Sequence, residues 1–239
     1  MPAHAQLLWE PRKSPVQARS AASVDAIIEA TIQVLLKVGK ERLTTTRVAE
    51  RAGVSVGTLY QYFPNKSALL RAVLRRHFDQ VLAAVEQACR EQHGHTVEQM
   101  ATALISAFLE AKMREPQTSV ALYSVSADVD GAKIVKQMVA RSNQAIVAML
   151  ATAREPLTKD PQLVASLLQS AMSGTSRQLL ESGDPEKHFA TLRDELICLA
   201  TAYLQARVAH DSSRRSERRE IPRRRGKTRR VSLGMTKKS

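Results

Sequence analysis

The stretch TTTRVAERAGVSVGTLYQYFPNK, residues 44–66, sets two short helical patterns on either side of a glycine and follows them with the start of a third. Thr44 has the hydroxyl that caps a helix beginning at about 45 and ending near Ala52. Gly53 can take the positive φ of a sharp turn, and Gly53-Val54-Ser55 leads into a second helix over about 56–62. Ala49 and Ala52 permit close helix contact, while Val48, Val54 and Leu59 supply apolar groups for burial. Pro64-Asn65-Lys66 then stops the chain and restarts it as a long helix. This is the grammar of a helix-turn-helix, placed at about 45–64.

The remaining side chains explain why such a unit would meet DNA. Ser55, Val56, Gly57, Thr58, Tyr60, Gln61 and Tyr62 are small or neutral hydrogen-bonding groups, an unusual set for a protein surface. At the first turn of the second helix, a Val or Thr methyl can touch thymine and a hydroxyl can donate or accept at a base edge. Gly57 would allow close approach to the groove floor. Tyr60 and Tyr62 place hydroxyls on rigid arms suited to phosphates on either side, and Thr45 and Thr46 suit a phosphate or base edge. Lys66 joins its ammonium to the positive end of the following helix for one more phosphate. Phe63 reads as core, whereas Arg47 and Arg51 suit either solvent or phosphate.

Outward from this unit the chain predicts an all-α fold, because good period-2 stretches are missing and long Ala/Leu/Gln/Glu-rich segments break at Gly and Pro. Residues 1–18 read as a flexible arm. Ile27, Ala30, Val34, Leu35 and Val38 mark a first helix over about 20–38, ended by Gly39. The helix after Pro64 should run to about 91, longer than a three-helix DNA-binding unit requires, and so should join two domains mechanically. Further helices are expected at about 96–114, 116–124, 129–154, 160–182 and 186–210, with joints at Glu115-Pro116, Asp130-Gly131, Asp160-Pro161 and Gly183-Asp184-Pro185. The domain plan is an arm at 1–18, a DNA-binding domain at 19–80, a helical regulatory and dimerisation domain at 81–210, and a basic tail at 211–239.

Charge follows that plan. The net +13 divides into +1 for 1–18, +5 for 19–80, −2 for 81–210 and +9 for 211–239. A near-neutral middle argues against a protein that coats RNA along its length. The tail, with RRSERREIPRRRGKTRR at 214–230, has no apolar periodicity and reads as a solvated basic segment.

Other classes find little support. Cys89 and Cys198 each lie in an apolar helical pattern and read as buried thiols of a reducing, cytoplasmic compartment. No apolar run of about 18 residues suggests a membrane span, and Glu10, Pro11, Arg12 and Pro15 stand where a signal core would be. His93-Gly94-His95 lacks further ligands at metal-site spacing, so no metal is expected. No nucleophile elbow, phosphate loop or dinucleotide fingerprint appears, which argues against an enzyme and against a bound cofactor.

Residues 20–78 resemble the TetR family of bacterial transcriptional regulators. The pattern IAxxAGVSxGTLYxYFxxK is met from Val48 to Lys66, with Val48 in place of the initial Ile. The resemblance implies a homodimer on a palindromic double-stranded operator, usually repressing, with a helical domain that senses a ligand and sets the spacing of the two readers. The last two helices would pack against their copies through Leu163, Leu167, Leu168 and Ala171 on one and Leu192, Leu196, Leu199 and Tyr203 on the other. A pocket between the middle helices would be lined by Phe108, Met113, Leu122, Tyr123, Met138, Met149 and Met172, and would take a small apolar or amphipathic effector. Two other readings remain: a TetR-like activator, and a general nucleic-acid-binding protein dominated by its tail.

Overall fold

A computed structural model of the chain describes residues 15–127 and 129–209, with side chains at 20–127 and 131–209. Nine α-helices account for nearly all of the described residues: α1 Pro15–Arg42, α2 Thr45–Ala52, α3 Val56–Tyr62, α4 Lys66–Glu91, α5 Val97–Met113, α6 Pro116–Ser126, α7 Val129–Leu150, α8 Pro161–Glu181 and α9 Pro185–Gln205. The all-α expectation holds. Among the described residues the sole β-type pairing is an isolated bridge from Leu157 to Val208, where Thr158 N–H donates to Arg207 O at 2.6 Å. The basic tail expected at 211–239 lies outside the described residues.

Local chemistry sets most helix ends. Thr44, Ser55, Asn65 and Thr96 each accept a backbone N–H in the first turn of the helix they precede. Thr96 and Gln99 complete a reciprocal capping box. Pro116, Pro161 and Pro185 open α6, α8 and α9, where the missing N–H costs no intrahelical bond. Gly53 stands at φ 66°, ψ 28°, and the Val54 N–H reaches back to Ala49 O at 3.0 Å, closing α2 and turning the chain into α3.

Several boundaries differ from the sequence reading. The arm expected over 1–18 gives way to helix at Pro15, a residue whose fixed φ suits a first helical position; residues 1–14 lie outside the described part. Gly39, at φ 76° and ψ 168°, is non-helical and ends the first segment of α1 as expected, and a short further turn follows to Arg42. Asp130-Gly131 is not a joint, because both residues lie in the first turn of α7. Gly131 answers a packing need: an added Cβ would sit 2.4 Å from Val125 O at the end of α6. Farther along, α7 ends at Leu150 instead of 154, and the chain beyond it is held by Thr152 and by an Arg154 N–H to His95 O bond of 3.0 Å.

The described residues through Val208 belong to one unit, and two apolar clusters fill it. The first gathers α1, α2, α3 and the early part of α4 around Ile27, Leu35, Val48, Leu59, Leu69 and Leu74, with Leu122, Ile134 and Met138 reaching in from α6 and α7. The second joins the end of α4 to α5, α7, α8 and α9 around Val85, Met100, Leu104, Leu109, Ile146, Met149 and Val164. Both α4 and α7 contribute to each cluster. The border drawn at 80/81 therefore falls inside α4, beside buried Val81 and Leu82.

Leu59 is fully buried and is the residue by which α3 enters the first cluster. Leu59→Ala should lower unfolding free energy by about 2–5 kcal/mol in chemical denaturation, with early loss of amide-exchange protection in α3.

Candidate nucleic-acid interface and helical cavity

Helical spacing divides α3 into three strips. Leu59 and Phe63 point into the core, Thr58 and Tyr62 are half-buried, and Val56, Gly57, Tyr60 and Gln61 form an exposed stripe. Val56 is 37% and Tyr60 48% exposed, so an apolar group and a phenol stand in solvent on the same face. Ser55 both caps α3 and meets Thr58, with their hydroxyls 2.8 Å apart. The Tyr60 hydroxyl lies 3.1 Å from that of half-buried Thr45, which ties α3 to the start of α2, while Thr46 is exposed beside it.

The structure gives Lys66 a definite partner. Its ammonium donates to Glu41 O at 3.2 Å, fastening the start of α4 to the end of α1. Arg47 likewise donates to Arg42 O, at 2.6 Å, and Arg51 to the Gln33 side chain. These cations ring the reader at fixed positions.

A cavity of about 180 Å³ lies between α4, α5, α6, α7 and α8. Phe78, Val81, Leu82 and Val85 of α4 form one wall, and Phe108 and Lys112 of α5 the next. Tyr123 and Ser126 come from α6, Val135, Met138, Val139 and Ser142 from α7, and Gln169, Met172, Ser173 and Ser176 from α8. Phe108, Tyr123, Met138 and Met172, expected at a pocket, all face it. Met113, Leu122 and Met149 do not: Leu122 is buried in the first cluster, Met149 in the second, and Met113 is half-buried away from the cavity. Apolar type alone could not distinguish core from wall.

The reading missed the α4 wall, although the helix was expected beside the pocket, and it missed Lys112. That lysine is 7% exposed, with its ammonium 5.3 Å from the Phe78 ring centre and 5.5 Å from that of Tyr123. Burial lowers its pKa to about 8. The available signal was a cation at an inward position of an apolar helix.

Beside it, burial and then the Lys112 charge lower His77 to about 4. Ser119 Oγ donates to Lys112 O at 2.9 Å, which uses its proton, so the 3.3 Å contact with His77 Nε2 requires that nitrogen to carry the hydrogen. Burial raises the Tyr123 phenol. Asn143 of α7 bonds Ser166, Gln169 and Gln162 of α8, and Gln169 also donates to Val139 O, which fixes the α7–α8 edge of the cavity.

The cavity and the reader share elements. α4 carries the cavity wall at Phe78–Val85 and Lys66 beside α3. In α6, Tyr123 faces the cavity while the neighbouring Ser124 carbonyl accepts from Lys40, at the kinked end of α1, at 3.2 Å.

On α8 and α9 the residues expected at a dimer face separate into two sets. Leu163, Leu167 and Leu199 are exposed at 52%, 49% and 58%. Leu168 and Leu196 are buried in the second cluster and cannot present a surface, while Ala171 and Tyr203 pack partly against it and Leu192 is half-buried. The helical stripe was read too wide, since its inner edge folds the protomer before any partner arrives. Cys198, expected to be buried, is exposed next to Leu199; Cys89 is buried and its thiol is pushed up to about 12. Among the described residues no three His, Cys, Asp or Glu side chains form a metal-binding group, and no helix is long and apolar enough to cross a membrane.

Comparison with known proteins places these features. Residues 27–73 match the model for bacterial regulatory proteins of the tetR family, and residues 96–204 match the tetracyclin repressor-like C-terminal domain. The chain is 32% identical over 144 residues to the HTH-type transcriptional repressor KstR of Rhodococcus jostii, covering 59% of this chain and 65% of that protein. It is 38% identical over 90 residues to KstR of Mycolicibacterium smegmatis, covering 38% and 43%. The aligned parts thus span less than two thirds of these relatives. Among solved structures, SmeT in its triclosan complex matches with a TM-score of 0.59 at 20% identity, over 80% of this chain and 93% of that one, which establishes a shared fold. With a reader match at 27–73 and a C-terminal-domain match at 96–204, the chain belongs to the TetR family of bacterial regulatory proteins.

Proposed function

We propose that this protein is a ligand-responsive transcriptional repressor that binds a two-fold operator as a homodimer through α3 of each protomer. The observation that carries the reading is the exposed stripe Val56, Gly57, Tyr60 and Gln61 on a helix anchored from behind by Leu59 and Phe63. Such a helix is held rigidly while leaving base-contacting groups free. Ser55, Thr58 and Tyr62 flank the stripe, Thr45 and Thr46 stand at the neighbouring helix start, and Lys66 supplies positive charge at the head of α4. Phosphate contacts from this rim position the reader, and the stripe selects sequence.

Dimerisation follows from the size of the reader and the character of α8 and α9. One short helix reads too few base pairs for useful specificity, whereas two fixed readers address two half-sites. Leu163, Leu167 and Leu199 give the two helices exposed apolar groups suited to a second copy, forming a four-helix contact. The tail at 211–239 adds salt-dependent attraction for any nucleic acid.

The cavity is the effector site. SmeT, a relative in fold, has been solved with triclosan, and the cavity here is larger than the roughly 150 Å³ that admits benzene. An effector touching Phe78, Val81 and Tyr123 acts on α4 and α6 together, and both helices hold the reader through Lys66 to Glu41 O and Lys40 to Ser124 O. Release requires that it bind the arrangement with displaced readers more tightly than the DNA-bound one.

Selection of randomised duplexes by the purified full chain tests the reading: the expected product is a two-fold motif, and an unstructured pool of bound sequences would refute it. Gln61→Ala should change base preference at fixed positions and cost about 1–3 kcal/mol on the selected operator, whereas Tyr62→Phe should weaken all duplexes alike. Leu163→Glu combined with Leu167→Glu should convert the dimer to monomer in sedimentation and reduce operator affinity at least about tenfold. A double variant that still sediments as a dimer would remove α8 from the interface.

A further inference from the structure

We infer that the cavity takes an amphipathic anion, a monocarboxylate whose head meets the Lys112 ammonium and whose apolar body lies along α4, α7 and α8. This rests on the reading of the cavity as an effector site and gives that effector a chemical class.

The side chain of Lys112 is more than nine-tenths buried and lies in the cavity wall. Among the described residues it makes no ion pair and no hydrogen bond. Its ammonium has only the faces of Phe78 and Tyr123, at 5.3 and 5.5 Å. Ring faces attract a cation but replace only part of its lost hydration. Placement in the last turn of α5 adds a favourable interaction with the helix dipole, again without a counter-ion. A buried cation arranged in this way lacks one thing, an anion, and the space beside it is open.

The other polar groups fit a head with a single charge. Ser176 Oγ is buried in the cavity wall, near enough to the Tyr123 phenol to favour its ionised form, yet it meets the geometry of no hydrogen bond. Closed to solvent beside that phenol, it brings no second charge to the head. Gln169 is already engaged on both ends, and Ser126 donates to Tyr123 O. Apart from the hydroxyls of Ser142 and Ser173, the remainder of the wall, from Val81 and Val85 to Met138 and Met172, offers hydrocarbon and sulfur to a tail.

The titratable groups around the site assign any pH dependence to Lys112. On α4, His77 titrates at about 4. On α6, the Tyr123 phenol is raised by burial and stays neutral. On α8, Arg177 stacks on Tyr123 and pairs with Glu181 at 2.9 Å. The cavity-lining residues of α7 carry no titratable group. Lys112, at about 8, is the group that changes charge between pH 7 and 10, and its proton is held more strongly once a carboxylate is bound.

The test uses the full chain with decanoate, decan-1-ol and decyltrimethylammonium, measuring affinity by displacement of a fluorescent apolar probe. At pH 7 the wild-type chain should bind decanoate about ten- to hundredfold more tightly than the alcohol, the range of a charge-assisted hydrogen bond. Lys112→Met should abolish that preference while keeping affinity for the alcohol. In the wild type the preference should fall as pH rises from 7 to 10, a measurement that needs no variant to fold. Equal wild-type affinities, preference for the cation, no binding of any probe, a preference that survives in Lys112→Met, or one unchanged over that pH range would each overturn the inference. Operator binding is measured separately. Lys112-dependent decanoate binding with unchanged operator affinity would uphold the ligand class and remove its effector role. Operator release by decan-1-ol as effective as by decanoate, in wild type and variant alike, would keep the regulator and overturn the role of Lys112.

Discussion

The structure depends on two helices, α4 and α7, being shared by two cores. From Leu69 to Leu82, α4 is buried in the cluster it shares with α1, α2, α3, α6 and α7; from Val85 to Cys89 it is buried in the one it shares with α5, α7, α8 and α9. A continuous helix transmits displacement along its length because bending it would break backbone hydrogen bonds. Either core can therefore move relative to the other only by carrying α4 with it. The reader sits at one end of this element and the cavity lies along its middle.

The polar contacts reinforce that arrangement. Gly39 kinks α1 just before Lys40, Glu41 and Arg42, and this short terminal turn collects bonds from three directions: Lys40 to α6, Lys66 of α4 to the Glu41 carbonyl, and Arg47 of α2 to the Arg42 carbonyl. Single bonds at an exposed surface are individually modest. Together they define which helices the reader follows, and two of those helices line the cavity.

Lys112 sets a different constraint. Apolar helices normally keep cations at their solvent edges, where the side chain can reach water. Here α5 directs one inward between two aromatic rings, beside a histidine that burial and charge hold neutral. The folded protein bears the cost of that desolvation. Such a cost is intelligible at a binding site, where an incoming anion offsets it and the same interaction can distinguish one ligand from another.

Sequence by itself determined the reader, because its information is local. Thr44, Gly53, Ser55 and Asn65 set caps and a turn through bonds to residues within a few positions, and the spacing of Leu59 and Phe63 leaves the stripe at 56, 57, 60 and 61 outward. Helix order and most boundaries were legible for the same reason, with Gly131 misread because its small size serves a contact with α6 instead of a turn. Only tertiary structure decided the cavity and the surface of α8 and α9. Leu168 and Leu199 are chemically alike, yet one is inside the protomer and the other outside; Met149 and Met172 are both buried in the second cluster, yet only Met172 also lines the cavity. Those roles depend on which helices cross at each point, a relation between residues far apart in the chain that no local pattern encodes.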